Sequence, residues 1–259
     1  MNIVGVVGDD FDMARYDFLK ERGVNLNGIE VVEGRTFRWS GRYHENMNDR
    51  DTLSTELGVF EDFNPKLAKE AAEAEYLLLA NIHPDLQLKV MEQVKNTKLV
   101  VFDTMNFWID SCRHEVNEML RKVDIVTVNE EEIRLLTDER SPLAGAKKIL
   151  KMGPKYVIVK KGEHGAIVVG NDVPTFLCPA YPIENAIDPT GAGDTFAGAM
   201  LGYLAATNDL GFMNLRRAVV YGTVAASFTC EAFSVLRLAQ ININDLDERL
   251  RKFQEMVEF

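Results

Sequence analysis

From residue 65 to residue 169 the chain alternates between short apolar runs and segments of helical period, and this alternation limits its fold more than any other feature. A helix at 65–74 leads to Tyr76-Leu77-Leu78-Leu79-Ala80, and one at 84–95 leads to Leu99-Val100-Val101-Phe102-Asp103. A helix near 111–121 leads to Asp124-Ile125-Val126-Thr127-Val128, and one at about 142–152 leads to Tyr156-Val157-Ile158-Val159-Lys160. Near-continuous apolar runs of this length read as strands covered on both faces, and strands separated by helices pair in parallel. The prediction is an α/β fold with a doubly wound, mostly parallel sheet. Ligands collect beyond the C-terminal ends of such strands, where Asp103 and Asn129 fall.

The flanks add detail. Residues 3–7 form an apolar run between glycines, read as a strand buried on both faces. Asp9-Asp10 follow as a helix cap, then an amphipathic helix carrying Met13, Tyr16, Leu19 and Lys20 up to Gly23. Gly5-Val6-Val7-Gly8 lacks the G-x-G-x-x-G spacing of a dinucleotide site, and no G-x-x-x-x-G-K-[ST] occurs, which argues against an NAD site and a P-loop enzyme. Stretches 29–32, 36–43 and 52–59 alternate polar and apolar residues around a polar break at 45–51, the pattern of a small antiparallel sheet. The expectation is one domain over 1–259 with this sheet inserted at about 29–60. Two apolar runs joined by Lys161-Gly162-Glu163-His164-Gly165 read as adjacent strands, and helices at about 212–229 and 244–257 close the chain.

Chemistry concentrates in Asp188-Pro189-Thr190-Gly191-Ala192-Gly193-Asp194-Thr195-Phe196-Ala197-Gly198-Ala199-Met200, a polar turn running into a small-residue helix expected over 196–206. At such a helix start the N–H groups of Gly191, Ala192 and Gly193 have no intrahelical acceptor, and no large side chain keeps a phosphate away. Asp194 would not welcome that phosphate, so its carboxylate suits accepting a proton from an attacking hydroxyl. An anion hole beside a base means phosphoryl transfer; a Gly-rich cap with an acidic first turn is the structural alternative. In Asn129-Glu130-Glu131-Glu132, Asn129 is a good N-cap and Glu132 stands where it closes a capping box.

A formal charge of −11 argues against nucleic acid as a partner, since a polyanion surface needs clustered Lys and Arg, but a small anion such as ATP needs only local amides. Three scattered cysteines encode neither a disulfide framework nor a CxxC metal site, and the four histidines show no ligand spacing. With no apolar run of membrane length and no signal peptide in the first residues, the expectation is a cytoplasmic protein without a membrane partner.

The 188–200 stretch resembles, position for position, the second signature of the ribokinase-like carbohydrate kinases, the PfkB family, including Gly198 and Ala199. The resemblance covers residues 3–257. It implies transfer of the γ-phosphoryl group of ATP to a hydroxymethyl of a sugar or sugar-like molecule, with Asp194 as the base that meets the substrate and Gly191, Ala192 and Gly193 stabilising the transferring group. It makes Asn129 and Glu132 counterparts of an N-x-x-E motif that organises magnesium through water, and magnesium keeps its waters and needs few carboxylates. Gly162 and Gly165 match a G-x-x-G turn beside the nucleotide, and Lys161, where the family commonly has an uncharged residue, is a candidate phosphate contact. Tyr221-Gly222-Thr223-Val224-Ala225-Ala226 is the nearest match to an adenine-contacting segment, Gly222 included, without the usual Asn. Asp188 matches a position linked to potassium, although the accompanying glycine is missing near Ala232-Phe233-Ser234.

By the same resemblance the antiparallel sheet is a lid whose Trp39, Arg42 and Tyr43 face the substrate; outward packing, or a homodimer formed through the lid, is the competing reading. The alternative activities are a nucleoside kinase of the same fold and a non-catalytic nucleotide-binding protein. The latter enters because the family's usual opening elements are not matched: a strand with a substrate-binding Asp, the first lid strands and a Gly-Gly signature. The expectation is a phosphate half intact, an acceptor half incomplete, and apolar surface exposed on the flanking strand.

Overall fold

The computed structural model describes residues 1–45, 47 and 50–258. The chain divides into two compact units, Met1–Glu75 with Asp85–Thr97 and Tyr76–Pro84 with Lys98–Phe259. In the first, β1 (Asn2–Gly8) and β2 (Asn25–Val32) pair in parallel around the short helix α1 (Asp17–Glu21). The run at 3–7 is a strand, but its side chains are half-exposed, because β1 and β2 form a sheet of their own. The stretch 29–32 therefore belongs to a parallel pair, which corrects its expected place in the antiparallel lid. A lightly covered strand alternates polar and apolar residues whichever way its partner runs.

Asp9 and Asp10 do not cap a helix. Asp9 Oδ1 accepts from the Gly34 N–H at 3.2 Å. Asp10 accepts from the Thr36 N–H (2.8 Å), the Thr36 hydroxyl (2.6 Å) and the Arg38 guanidinium (2.8 Å). These bonds, that of the Thr36 hydroxyl foremost, hold the Asp10 carboxyl below the usual carboxylate range. They fasten the end of β1 to the segment entering β3 (Arg38–Tyr43). Asp12 instead caps the short 3-10 turn Met13–Tyr16 that precedes α1, accepting from the Ala14 N–H at 3.2 Å.

β3 pairs antiparallel with β4 (Arg50–Glu56), as expected for the lid. Of the polar break at 45–51, residues 46, 48 and 49 lie outside the described residues. Trp39 donates to the Thr52 hydroxyl at 3.3 Å and covers Gly41, where a β-carbon would stand 2.2 Å from the indole. Arg42 falls in the exposed set of the strand's alternation and Trp39 in the half-buried set, so the two do not present one surface to a ligand. The unit also holds α2 (Lys69–Ala72), shorter than the expected 65–74, and all but the first residue of α3 (Pro84–Gln93). Gln93 braces the segment before α2, accepting from the Leu67 N–H and donating to the Pro65 carbonyl, both at 2.9 Å.

The second unit is organised by six strands. β5 (Tyr76–Leu79), β6 (Leu99–Asp103), β7 (Ile125–Asn129) and β8 (Tyr156–Lys160) lie side by side in parallel. β9 (Ala166–Gly170) and β10 (Phe176–Cys178) extend the sheet antiparallel. Between β6 and β7 two short helices, α4 (Asn106–Ser111) and α5 (Arg113–Leu120), replace the single helix expected near 111–121. α6 (Glu130–Thr137) and α7 (Pro142–Leu150) connect β7 to β8. After β10 come α8 (Ala192–Thr207), α9 (Phe212–Thr229), α10 (Leu236–Gln240) and α11 (Ile243–Val257). No helix among the described residues is long and apolar enough to cross a membrane.

The central strands are covered on both faces, as Val101, Phe102, Val126 and Val128 are inaccessible to solvent. Leu99, Val101, Ile125 and Ile158 pack in one cluster with Met200 and Leu204 of α8 and Ala218 and Val219 of α9. The C-cap of α8 sets its direction: Asn208 accepts from the Tyr76 hydroxyl (2.7 Å) and the Lys98 ammonium (3.1 Å), both at the starts of their strands. The helix therefore begins at the opposite edge, where β6, β7 and β8 end in Asp103, Asn129 and Lys160.

Candidate active site

Ladder register assembles that edge. Asp103 lies opposite Thr127, and Asn129 opposite Lys160. The fully buried Thr127 hydroxyl donates to Asp103 Oδ1 at 2.8 Å, and Lys160 Nζ donates to the same oxygen at 2.9 Å. This ion pair is nearly closed to water, with side-chain exposures of 19% and 6%. The sequence marked Asp103 only as a strand end, and it did not mark Lys160 as a site residue.

Above the pair stands the start of α8. Gly191 is its N-cap with φ of 82°, a left-handed conformation that any β-carbon would strain, and no side chain caps the helix. Among the described residues the N–H groups of Gly191 and Gly193 have no hydrogen-bond partner, while the Ala192 N–H donates to the Pro189 carbonyl at 3.1 Å. Two of the three expected anion-binding amides are thus open, and the third closes the turn. A β-carbon on Gly193 would lie 3.3 Å from Lys160 Nζ, so the ammonium faces this first turn.

Asp194 follows with its surface open to solvent. The protein packed around its carboxylate raises the pKa above the ordinary value, the Asp103 charge adds to the rise, and Lys160 opposes it. For Lys160, burial works against the charge but is outweighed by Asp103, Glu132 and Asp194, so its pKa is raised. The Thr229 hydroxyl at the end of α9 donates to the Thr195 hydroxyl at 2.8 Å, and the Ile187 N–H donates to the Cys230 carbonyl at 2.8 Å; both bonds hold the turn before α8 in place.

Asn129 and Glu132 form the capping box. Asn129 Oδ1 accepts from the Glu132 N–H at 2.8 Å, while Glu132 accepts from the Asn129 N–H and from its amide, each at 2.7 Å. Glu132 is 4% exposed. Among the described residues no group of three or more His, Cys, Asp or Glu is placed to hold a metal ion directly.

Asp188, the candidate potassium ligand, accepts from the Thr190 N–H at 2.9 Å and from the Ser234 N–H at 3.4 Å, one bond to each oxygen. Ser234, in the stretch where the glycine is missing, takes φ of 57°. That conformation costs an ordinary L-residue about 1–2 kcal/mol. Ser234→Gly is therefore expected to stabilise the protein by about 1 kcal/mol, read as a Tm rise of about 2–4 °C in a thermal melt; an unchanged or lower Tm would contradict it.

The remaining sequence candidates separate. Lys161 leans toward Glu130 at 3.9 Å, and its N–H donates to the Gly165 carbonyl at 2.8 Å. The Gly165 N–H returns to the Gly162 carbonyl at 3.1 Å, so both glycines shape the turn between β8 and β9. Gly222 is buried in α9, where a β-carbon would stand 2.6 Å from the Phe196 carbonyl oxygen and 3.3 Å from Met200 Cβ. Close packing of α8 on α9 accounts for that glycine. Trp39 and Arg42 belong to the first unit.

The chain as a whole is similar to known proteins. Residues 1–240 match the pfkB family carbohydrate kinases. The chain is 27% identical over 206 residues to a cytidine kinase of Thermococcus kodakarensis, covering 78% of this chain and 72% of that protein. It is 35% identical over 137 residues to a ribokinase of Staphylococcus aureus, covering 51% of this chain and 42% of that protein. The solved structure of a putative ribokinase II from E. coli, in complex with ATP and magnesium, superposes with a TM-score of 0.73 at 23% identity, over 97% of this chain and 83% of that one. With nearly its whole length matched and the open helix start in the signature stretch, the chain belongs to the pfkB family of carbohydrate kinases.

Proposed function

We propose that the protein transfers the γ-phosphoryl group of ATP to a hydroxymethyl of a sugar or sugar-like molecule. The observation that carries this reading is Asp194, an exposed residue in the first turn of a helix whose Gly191 and Gly193 amides are unpartnered. An acceptor hydroxyl beside Asp194 gives its proton to the carboxylate as its oxygen bonds to the γ-phosphorus. The bond from that phosphorus to the β,γ-bridging oxygen breaks, and ADP leaves with the electron pair. The open amides meet charge on the transferring group without reorganising, which is where fixed dipoles help most.

Asp103, Glu132 and Asp194 surround the single ammonium of Lys160, a surplus of negative charge that a triphosphate would otherwise meet. Hard oxygen donors with no direct cage suit magnesium held through water by Asn129 and Glu132, where it would neutralise phosphate oxygens. A nucleoside acceptor is the second reading, favoured by the likeness to the cytidine kinase. A panel of sugars and nucleosides assayed for ADP release distinguishes the two, and no turnover on any of them would count against both.

The base must be ionised to work. Because the Asp194 pKa is raised in the free protein, the acidic limb of kcat/KM is expected at higher pH than an ordinary aspartate would place it. A pH profile of kcat/KM with its acidic midpoint in or below the usual carboxylate range would contradict that assignment.

A further inference from the structure

Lys160, paired with Asp103 at the strand edge, has no part in the scheme above. Its bond to Asp103 engages one of three ammonium donors, so two remain for a ligand. Asp103 is itself fixed by the Thr127 hydroxyl and by its place in the sheet, so the ammonium is aimed rather than loose. It points toward Gly193, whose N–H is open and whose lack of a side chain lets the ammonium come close, a β-carbon there standing only 3.3 Å from Nζ. An anion received by that amide comes within reach of the ammonium.

We propose that Lys160 is a catalytic residue whose ammonium binds the γ-phosphoryl group in transit at the start of α8, a role that rests on the phosphotransfer reading. No bond to Lys160 forms or breaks; the ammonium stays protonated and offsets charge on the phosphoryl oxygens. A purely structural pair would explain the neutralised Asp103, but apolar residues fill such a position with less desolvation. It would not explain why the cation sits against the open end of the helix. Lys161, the neighbouring lysine, turns to Glu130.

The test is calorimetric binding of two nucleotides with magnesium, ADP and β,γ-imido-ATP, to the full chain. Loss of one charge-assisted contact to the γ-phosphoryl group weakens imido-ATP by about ten- to a hundredfold in Lys160→Met, with ADP little affected. Lys160→Arg, which keeps the charge, recovers most of the loss. Equal weakening of both nucleotides, or weakening of neither, overturns the role. If Lys160→Met is unfolded by circular dichroism, Lys160→Gln, which retains a donor for Asp103, carries the same comparison. Wild-type protein that binds neither nucleotide would overturn the phosphotransfer reading and this role with it; wild type that binds both, with matching variants, overturns the Lys160 role alone.

Discussion

Replacing Asp194 with Asn is expected to lower kcat by about a hundred- to ten-thousandfold, the usual contribution of a positioned base, while affinity for magnesium-ATP stays close to wild type. The amide keeps the shape of the carboxylate but does not take the acceptor proton, and the open amides of Gly191 and Gly193 remain. Stability is expected to move the other way. Packing and Asp103 raise the Asp194 pKa in the folded protein, so the fold favours the protonated side chain. That contribution is complete below the unfolded-state pKa and is lost as pH rises through the folded one. At neutral pH the ionised carboxylate therefore strains the fold, and Asp194→Asn is expected to melt above wild type, with the difference vanishing in acid. Wild-type kcat in the variant would remove Asp194 from the chemistry, and a lower neutral-pH Tm would contradict the sign of the shift.

What could be read in advance follows from how far apart the cooperating residues lie. The open helix start is local: small residues precede an Ala-rich helix, and both the φ of Gly191 and the absence of a side-chain cap are written in a few neighbouring positions. The Asn129–Glu132 capping box is local too, three residues apart. Lys160 and Asp103 are 57 residues apart and meet only because β6, β7 and β8 share a register, so no spacing in the chain announced them. Periodicity identified β2 as a strand but not its partner, and the apolar run of β1 was read as buried because periodicity does not count neighbouring strands. Gly222 was ambiguous for a different reason. A small residue in a helix permits close approach by anything, and here a group that approaches it is the backbone of α8.

That contact gives the largest stability effect. Gly222→Val is expected to destabilise the protein by about 3 kcal/mol, at the upper end of typical overpacking, and to lower Tm by about 6–12 °C. The nearest atom to a new β-carbon is the Phe196 carbonyl oxygen at 2.6 Å, which belongs to backbone and cannot swing aside as a flexible side chain would. Alanine gains about 1 kcal/mol over glycine in helix propensity, yet even Gly222→Ala is expected to lose stability, because its β-carbon meets the same oxygen. Relief requires α8 to move away from α9, and Phe196 lies two residues beyond Asp194 on that helix. A shift there displaces the base and the Gly193 amide relative to Lys160, and misplacement of about 1 Å at a reacting centre costs roughly a hundredfold in rate. Thermal melts and kcat measured on the same two variants test both halves, with the Val variant worse than the Ala variant in each. A Gly222→Val protein that melts with wild type would show that the helix pair has room to spare and would sink the argument that packing chose this glycine.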